Sequence, residues 1–443
     1  LVRSAGADLE IDTFLEGLAA ARVAAAEARA RIAGADLAPQ VSADLSAARR
    51  RQNFIGLPLP GGEGDVLSST STTLGANLNV SWEVDVWGRL RAAAAGAAAE
   101  ATASELDFAA ARLSLTAQTA KAWFAVLEAE GQVTVARRTL DNRGLTLDRI
   151  RRRYNVGLAS PLELRFAVSD HALAESLLAQ RRQQAEATRR GLQLLVHRYP
   201  SGELDELAAE VELPPLPGAV PAGLPSELVA RRPDLAAAEA RLEAAGYSVT
   251  EARRALYPRL SLTGSAGRVS AEVEDILDED FSVWSLAGGL LAPIFQGGRL
   301  RAAIDLAEAR QEEILALYVQ RILGSFAEVE ASLAADRHLE RREAALTTAV
   351  READEALALA QDQYAAGLVT YLAVLESQRQ SLNAESQYLS VRRQRLDARV
   401  DLHLALGGDW GTAVPAGAAT TSATTSTAAD DPISSSPQES SGR

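Results

Sequence analysis

One pattern of elements occurs twice in this 443-residue chain, and the repetition constrains the fold more than any single segment. A shift of 210 residues carries Gly88-Arg89-Leu90-Arg91 onto Gly298-Arg299-Leu300-Arg301. The same shift carries Tyr154, Gly157, Leu158 and Leu162 onto Tyr364, Gly367, Leu368 and Leu372. Arg182, Gln184, Arg189, Leu192 and Leu194 fall on Arg392, Gln394, Arg399, Leu402 and Leu404. Helical heptads alone would match by chance in places. They would not also reproduce a Tyr-x-x-Gly-Leu turn and a strand–Gly–Arg junction. Each half therefore reads helix, strand, strand, long helix, helix.

The strands announce themselves by period-2 alternation. Gln40 to Phe54 follows Pro39, with Val41, Ala43, Leu45 and Ala47 alternating with Ser42, Asp44 and Ser46. The clearest run puts Leu74, Ala76, Leu78, Val80, Trp82, Val84 and Val86 on one face. Thr73, Gly75, Asn77, Asn79, Ser81, Glu83 and Asp85 lie on the other. The second half predicts strands from Pro258 to Val269 and from Ser282 to Phe295. Trp82, Trp87 and Trp284 fall near strand ends, as interfacial or core aromatics would.

Between the strand pairs the period changes. Leu106, Ala110, Leu113, Ala117, Ala120, Phe124 and Leu127 step by four and three, the seam of a coiled-coil-like helix. Leu90 to Val156 contains no proline, and roughly 65 residues of helix span about 100 Å. In the second half the seam runs from Leu300 through Ile304, Ala307, Ile314, Tyr318, Ile322, Phe326 and Val329 to Leu333. Shorter helices are predicted over 7–35, Ser160–His197, Ser226–Leu256 (interrupted at Pro233) and Thr370–Leu406. The chain divides into a first repeat (1–197), a Pro-rich linker (198–225), a second repeat (226–410) and a disordered Ala/Ser/Thr/Pro-rich tail (411–443).

Composition excludes several functions. With 59 acidic residues against 45 basic, the net charge is −14, which argues against nucleic acid as a partner. The chain has no cysteine, so no thiolate site or cysteine nucleophile exists. It has no methionine, and residue 1 is a leucine, which leads us to expect a processed chain. His171, His197, His338 and His403 are scattered along predicted helices and suggest no metal site. Gly61-Gly62-Glu63-Gly64 lacks a phosphate-loop lysine. The acids from Glu272 to Asp280 lack calcium-loop spacing and read as a solvated loop. Neither a catalytic constellation nor a cofactor site is expected. No apolar run is long enough for a transmembrane helix, but a β-barrel needs none.

Four strands per chain cannot close a barrel, and an open sheet edge cannot sit in lipid. Three copies give twelve strands, an even number within the known range. The expected fold is therefore a mixed α and β membrane protein, internally duplicated, with long helical hairpins forming an α-barrel and a trimer closing a 12-stranded β-barrel. A structural coiled-coil protein explains the seams but not the alternating strands. A periplasmic adaptor needs one hairpin, whereas this chain has two.

The junctions and turns resemble the TolC-type outer-membrane factors, in particular the branch serving resistance-nodulation-division pumps. Leu224-Pro-Ser-Glu-Leu-Val-Ala-Arg-Arg-Pro-Asp-Leu235, Ala255-Leu-Tyr-Pro-Arg-Leu-Ser-Leu262 and Pro293-Ile-Phe-Gln-Gly-Gly-Arg-Leu300 carry the likeness. It covers residues 1 to about 410. The resemblance implies a passive trimeric export duct in the outer membrane, its helical barrel in the periplasm. It also implies a periplasmic adaptor (membrane fusion) protein and an inner-membrane efflux transporter as partners. Val156, Gly157, Leu158 and Ala159, with Gly367, Leu368, Val369 and Thr370, match the tip turns that meet the adaptor in the family. Glycine there also simply permits the turn. A ring of acids that constricts the pore matches Ala373 and Glu376, with Glu163 standing at the position of Ala373 in the first repeat. Three copies of each acid would draw cations and repel one another. Solvated surface charge is the plainer reading of both. Ala373 departs from the family's acidic pattern.

Overall fold

The computed structural model describes residues 14–54, 67–203, 212–216 and 231–408. The glycine-rich loop around 56–64, the tail from 409 onward and parts of the Pro-rich linker lie outside these residues, as do 7–13 of the first predicted helix.

The duplication is exact in length where it matters. Helix α1 (Phe14–Ala35) leads into β1 (Gln40–Phe54), β2 (Leu67–Val84), α2 (Arg89–Asn155) and α3 (Pro161–Leu195). The second half repeats this as α4 (Pro233–Arg254), β3 (Arg259–Ser270), β4 (Ser282–Leu291), α5 (Arg299–Ala365) and α6 (Tyr371–Ala405). Helices α2 and α5 each have 67 residues, and α3 and α6 each have 35. The long pair thus runs about 100 Å at 1.5 Å per residue.

Some boundaries differ from the sequence expectation. Strand β2 begins at Leu67, six residues before Thr73, because β1 continues to Phe54 and pairs with it to the end. Strand β4 stops at Leu291, because Pro293 offers no N–H to a ladder. Helix α4 starts at Pro233, at the expected interruption and in a residue that suits a first helical position, while 226–230 of the predicted helix lie outside the described residues.

The four strands form one antiparallel sheet in the order β1-β2-β3-β4, leaving β1 and β4 as edges. Register sets the faces. Val41 lies opposite Val80, Leu45 opposite Ala76, Val80 opposite Gly264 and Gly264 opposite Leu286. One face therefore collects Val41, Leu45, Leu78, Val80, Leu262, Trp284, Leu286 and Leu290. The other collects Ser42, Asp44, Asn77, Asn79, Ser81, Ser261, Thr263, Ser265 and Ser285. On the polar face Asp44 accepts from Asn79, and the Ser265 and Ser285 hydroxyls lie 2.8 Å apart. Leu45, Trp284 and Leu286 are 89%, 81% and 77% exposed, so none of the described residues covers this part of the apolar face. Gly267 is forced by closeness: a Cβ there would run into the backbone of Ala76 and Asn77 on β2.

Sheet passes to helix through left-handed glycines, Gly88 (φ 81°) and Gly298 (φ 82°). At the first junction the Asp85 carboxylate accepts from the backbone N–H groups of Leu90 (3.2 Å) and Arg91 (2.9 Å). Burial opposes ionisation of Asp85, but those bonds hold its carboxyl below the usual range. Trp87 stacks on Tyr257 at 5.2 Å and donates to the Pro258 carbonyl, tying the first sheet-to-helix junction to the link between α4 and β3. Trp82 donates to the Leu37 carbonyl at the same end.

Helix α2 packs on α1, α3, α4 and α6, while α5 packs on α4 and α6. No helix among the described residues is long and apolar enough to cross a membrane. The main core gathers Trp123, Phe124, Val126 and Leu127 of α2 with Leu192, Leu396 and Val400 of α3 and α6. Leu213 joins it from the Pro-rich linker, its carbonyl accepting from Arg392 at 3.0 Å. Every residue of the two predicted seams is buried or half-buried.

Candidate functional site

The end of the hairpins farthest from the sheet is built from two helix turns related by the repeat. Helix α2 closes with a left-handed Gly157 (φ 78°) and α5 with Gly367 (φ 74°). In each, the residue after the glycine bonds back across the turn: Leu158 N–H to the Arg153 carbonyl at 2.7 Å, Leu368 N–H to Gln363 at 2.8 Å. The glycine N–H groups reach the Tyr154 and Tyr364 carbonyls. This is the double bond pattern of a Schellman cap, which satisfies carbonyls that a helix end leaves open.

Leucines stand out into solvent around these turns. Val156 and Leu158 are each 69% exposed, and Leu368 is 76% exposed. Leu162 and its repeat partner Leu372 are also exposed. Ala159 turns inward against the hairpin core, and Val369 is half-buried beside the exposed Thr370.

The next helices start differently. Ser160 caps α3 through a capping box: its hydroxyl accepts from the Glu163 N–H at 3.2 Å, and Glu163 accepts from the Ser160 N–H at 2.7 Å. Glu163 is thus half-buried and engaged with the backbone of its own helix. At α6 the cap is Thr370 with no side-chain bond, and Ala373 stands where Glu163 stands. Ala373 is half-buried; its carbonyl accepts from the Ser377 hydroxyl at 3.0 Å. One turn on, Glu376 is exposed and ion-paired with Arg379 on the same helix.

Beneath the turns lies a core joining the two hairpins. Tyr371, 2% exposed, enters from α6 among Leu147 and Ile150 of α2 and Ala167 of α3. Its ring lies 5.7 Å from that of Tyr364, which in turn lies under the Arg153 guanidinium at 5.1 Å. Burial, then the nearby Asp170 carboxylate, pushes the Tyr371 hydroxyl far above its usual range. Arg143 and Asp170 pair at 2.7 Å between α2 and α3, both nearly buried. Burial raises the Asp170 pKa against the pull of Arg143. The Arg143–Asp170 pair and the Tyr371 wedge were not predicted from sequence. One signal was available: the repeat places Pro161 where Tyr371 stands, and a bulky aromatic replacing proline at a helix start marks a contact only one repeat makes.

The acidic loop beyond β3 is occupied with local structure. Two short 3₁₀ turns, Glu274–Leu277 and Glu279–Phe281, follow one another, and Asp278 caps the second by accepting from the Asp280 N–H at 3.2 Å.

An uncovered apolar sheet face, two unpaired sheet edges and hundred-ångström hairpins together describe a membrane-inserted protein rather than a globular one, and the comparisons agree. The model of the outer membrane efflux protein family matches residues 18–196 and 224–408. The pyoverdine export outer membrane protein OpmQ of Pseudomonas putida is 39% identical over 411 residues, covering 88% of this chain and 82% of that protein. A membrane protein from Pseudomonas aeruginosa superposes with a TM-score of 0.83 at 32% identity, covering 94% of this chain and 92% of that one. The open state of the Neisseria gonorrhoeae MtrE outer membrane channel gives 0.76 at 29% identity, over 89% of this chain and 86% of that one. The chain belongs to the outer membrane efflux protein family, and it is a passive outer-membrane channel component, not an enzyme.

Proposed function

We propose that three copies of this chain close one duct, in which the β4 edge of each sheet pairs with the β1 edge of the next to make a twelve-stranded barrel. The observation that carries this reading is the sheet itself: two unpaired edges, one continuous apolar face and one polar face. Unpaired strand edges are not tolerated in lipid, and closure removes them. Further support comes from α5, which leaves Leu306, Leu315, Leu317 and Leu323 exposed for a neighbouring hairpin.

The duct joins a periplasmic adaptor and an inner-membrane efflux transporter to the exterior. The exposed leucines around Val156–Ala159 and Gly367–Thr370 offer the adaptor an apolar docking face. Glu163 and Glu376, with Ala373 between them in the pattern, form the narrowest part of the pore in the closed state. The two repeats (1–197 and 226–410) act as half-units of each wall. The P. putida relative is named for pyoverdine export, and export of a compound of that kind is the cargo reading this likeness supports.

Purified protein should run as a trimer on unheated SDS gels and as a monomer after boiling, and should conduct ions in planar bilayers. A monomer under both conditions with no conductance would remove the reading. Removing the charge at Glu376 should shift the reversal potential in a salt gradient toward lower cation preference. An unchanged potential would take Glu376 out of the constriction.

A further inference from the structure

Following the apolar face of the sheet toward the hairpin loops, the outward positions change character at one level on every strand. On β1 the outward row is Val41, Ala43, Leu45 and Ala47, then Arg49 and Arg51. On β2 Thr70 and Thr72 precede Leu74. On β3 Ala266 is followed by Arg268, and on β4 Ser282 precedes Trp284. Register ties these together: Ala47 faces Leu74, Arg49 faces Thr72, Arg51 faces Thr70 and Ala266 faces Trp284.

The level runs obliquely to the register, as a membrane plane must. The β2 residue opposite Ala266 is Leu78, four positions from Leu74. The level is even across β1 and β2 and across β3 and β4, and it shifts by four residues, about 13 Å, between β2 and β3; strands in closed barrels usually incline by roughly 40°. At that tilt the outward apolar run of β2, Leu74 to Val84, stands about 25 Å tall, which is the height of a barrel's lipid band. Arg49 and Arg268 then lie about 5 Å above the band and Arg51 about 10 Å above it. This end carries the hairpin loops and is opposite the helices, so it faces the exterior.

On β1 and β2 the collar is basic and rich in hydroxyls in a chain of net charge −14, while the six acids between Glu272 and Asp280 lie at the same end beyond β3. Arg49 and Arg51 are exposed, and Arg51 donates to the Ser68 hydroxyl at 3.1 Å on the same face. Arg268 continues the row on β3, half-buried and already engaged in a contact of its own, and Asp275 of the following loop is bound to the Ser270 hydroxyl. Guanidinium forks flanked by Ser and Thr hydroxyls, held at headgroup depth, match phosphate groups on a sugar scaffold: the fork takes the phosphate in two bonds and the hydroxyls take the remaining oxygens.

We propose that Arg49 and Arg51, with Thr70 and Thr72, form a binding collar for the phosphorylated sugar headgroup of an outer-leaflet glycolipid. The site repeats three times around the barrel, and it rests on the trimeric barrel reading above.

Arg50 provides the control, because its odd neighbours point outward and it points to the polar, lumenal face. Purified trimer is titrated with bisphosphorylated lipid A and with chemically dephosphorylated lipid A, and bound lipid is counted by native mass spectrometry. Arg49→Gln and Arg51→Gln should each weaken lipid A binding several-fold, and Arg50→Gln, with the same charge change, should not. Dephosphorylated lipid A should bind the wild-type protein at least tenfold less than lipid A. Equal losses for Arg50→Gln and its neighbours, or indifference to the phosphates, would overturn the proposal. Failure of the barrel reading itself would show separately, as loss of the SDS-resistant trimer in the wild-type protein.

Discussion

Glu163 accepts a hydrogen bond from the Ser160 backbone N–H at 2.7 Å, while its counterpart 210 residues on, Ala373, cannot. The two tip turns are thus alike in backbone and unlike in how the following helix begins. Replacing Glu163 by Ala should cost about 1 kcal/mol of helix-end stability, whereas Gln, which can still reach back to Ser160, should cost little. Chemical denaturation followed by circular dichroism separates the two. Equal losses for Ala and Gln would mean the charge, not the cap, sustains this end. Glu163→Gln also removes the charge with the cap intact, so its conductance isolates any role in the pore.

The Arg143–Asp170 pair is nearly buried, with one Asp170 oxygen and the Arg143 Nε lacking any partner. Removing one member strands a charge among Leu147, Ile150 and Tyr371. Asp170→Leu should therefore destabilise by about 3 kcal/mol or more, while adding Arg143→Leu to it should recover most of the loss. A double-mutant cycle in denaturant measures this. Additive losses would show that the pair is not coupled.

Asp397 gives the account a pH signature. It pairs with Arg393 where α6 meets α2, near Lys121, Glu128 and Asp401. Burial pushes its carboxyl up to about 6, against the pull of Arg393 and Lys121. An acid whose folded pKa exceeds its unfolded value contributes stability at low pH and loses it as pH rises, here between about 4 and about 6. Asp397→Asn stays neutral throughout. The difference in stability between wild type and variant should therefore move by about 2 kcal/mol in favour of the variant across that window. A difference flat with pH would contradict the burial argument.

Gly267 meets the β2 backbone with no room for a methyl group. Gly267→Ala should part β2 from β3 and greatly reduce the yield of SDS-resistant trimer from refolding. Gly264→Ala, whose Cβ would meet only ordinary contacts at 3.7 Å and beyond, should assemble nearly as wild type. Equal yields would mean the sheet relaxes around the added methyl.

What was legible in the sequence was whatever repeats or alternates. The period-2 rows located β1 and the faces of β2, and the 210-residue shift gave the equal helices, because a duplicated element keeps its length. The polar switch above Ala47 was present in the letters but meant nothing until register aligned it across four strands. Tyr371 and the Arg143–Asp170 pair were hidden for another reason. They depend on which hairpin faces which, and heptad periodicity specifies a seam without naming its partner. Glu163 was visible as an acid after a turn, but Ser-x-x-Glu ahead of an apolar run was equally visible as a capping box.

The chain has no cysteine, so introduced pairs report on closure without background. A cysteine at Ser46 on β1 is combined in turn with one at Val283, Ser285, Ala287 or Gly289 on β4, then oxidised, boiled and run on SDS gels. The account predicts that at least one pairing yields covalent dimer and trimer and nothing larger, while single cysteines yield monomer. Monomer from every pairing, or a ladder continuing past trimer, would contradict a ring of three.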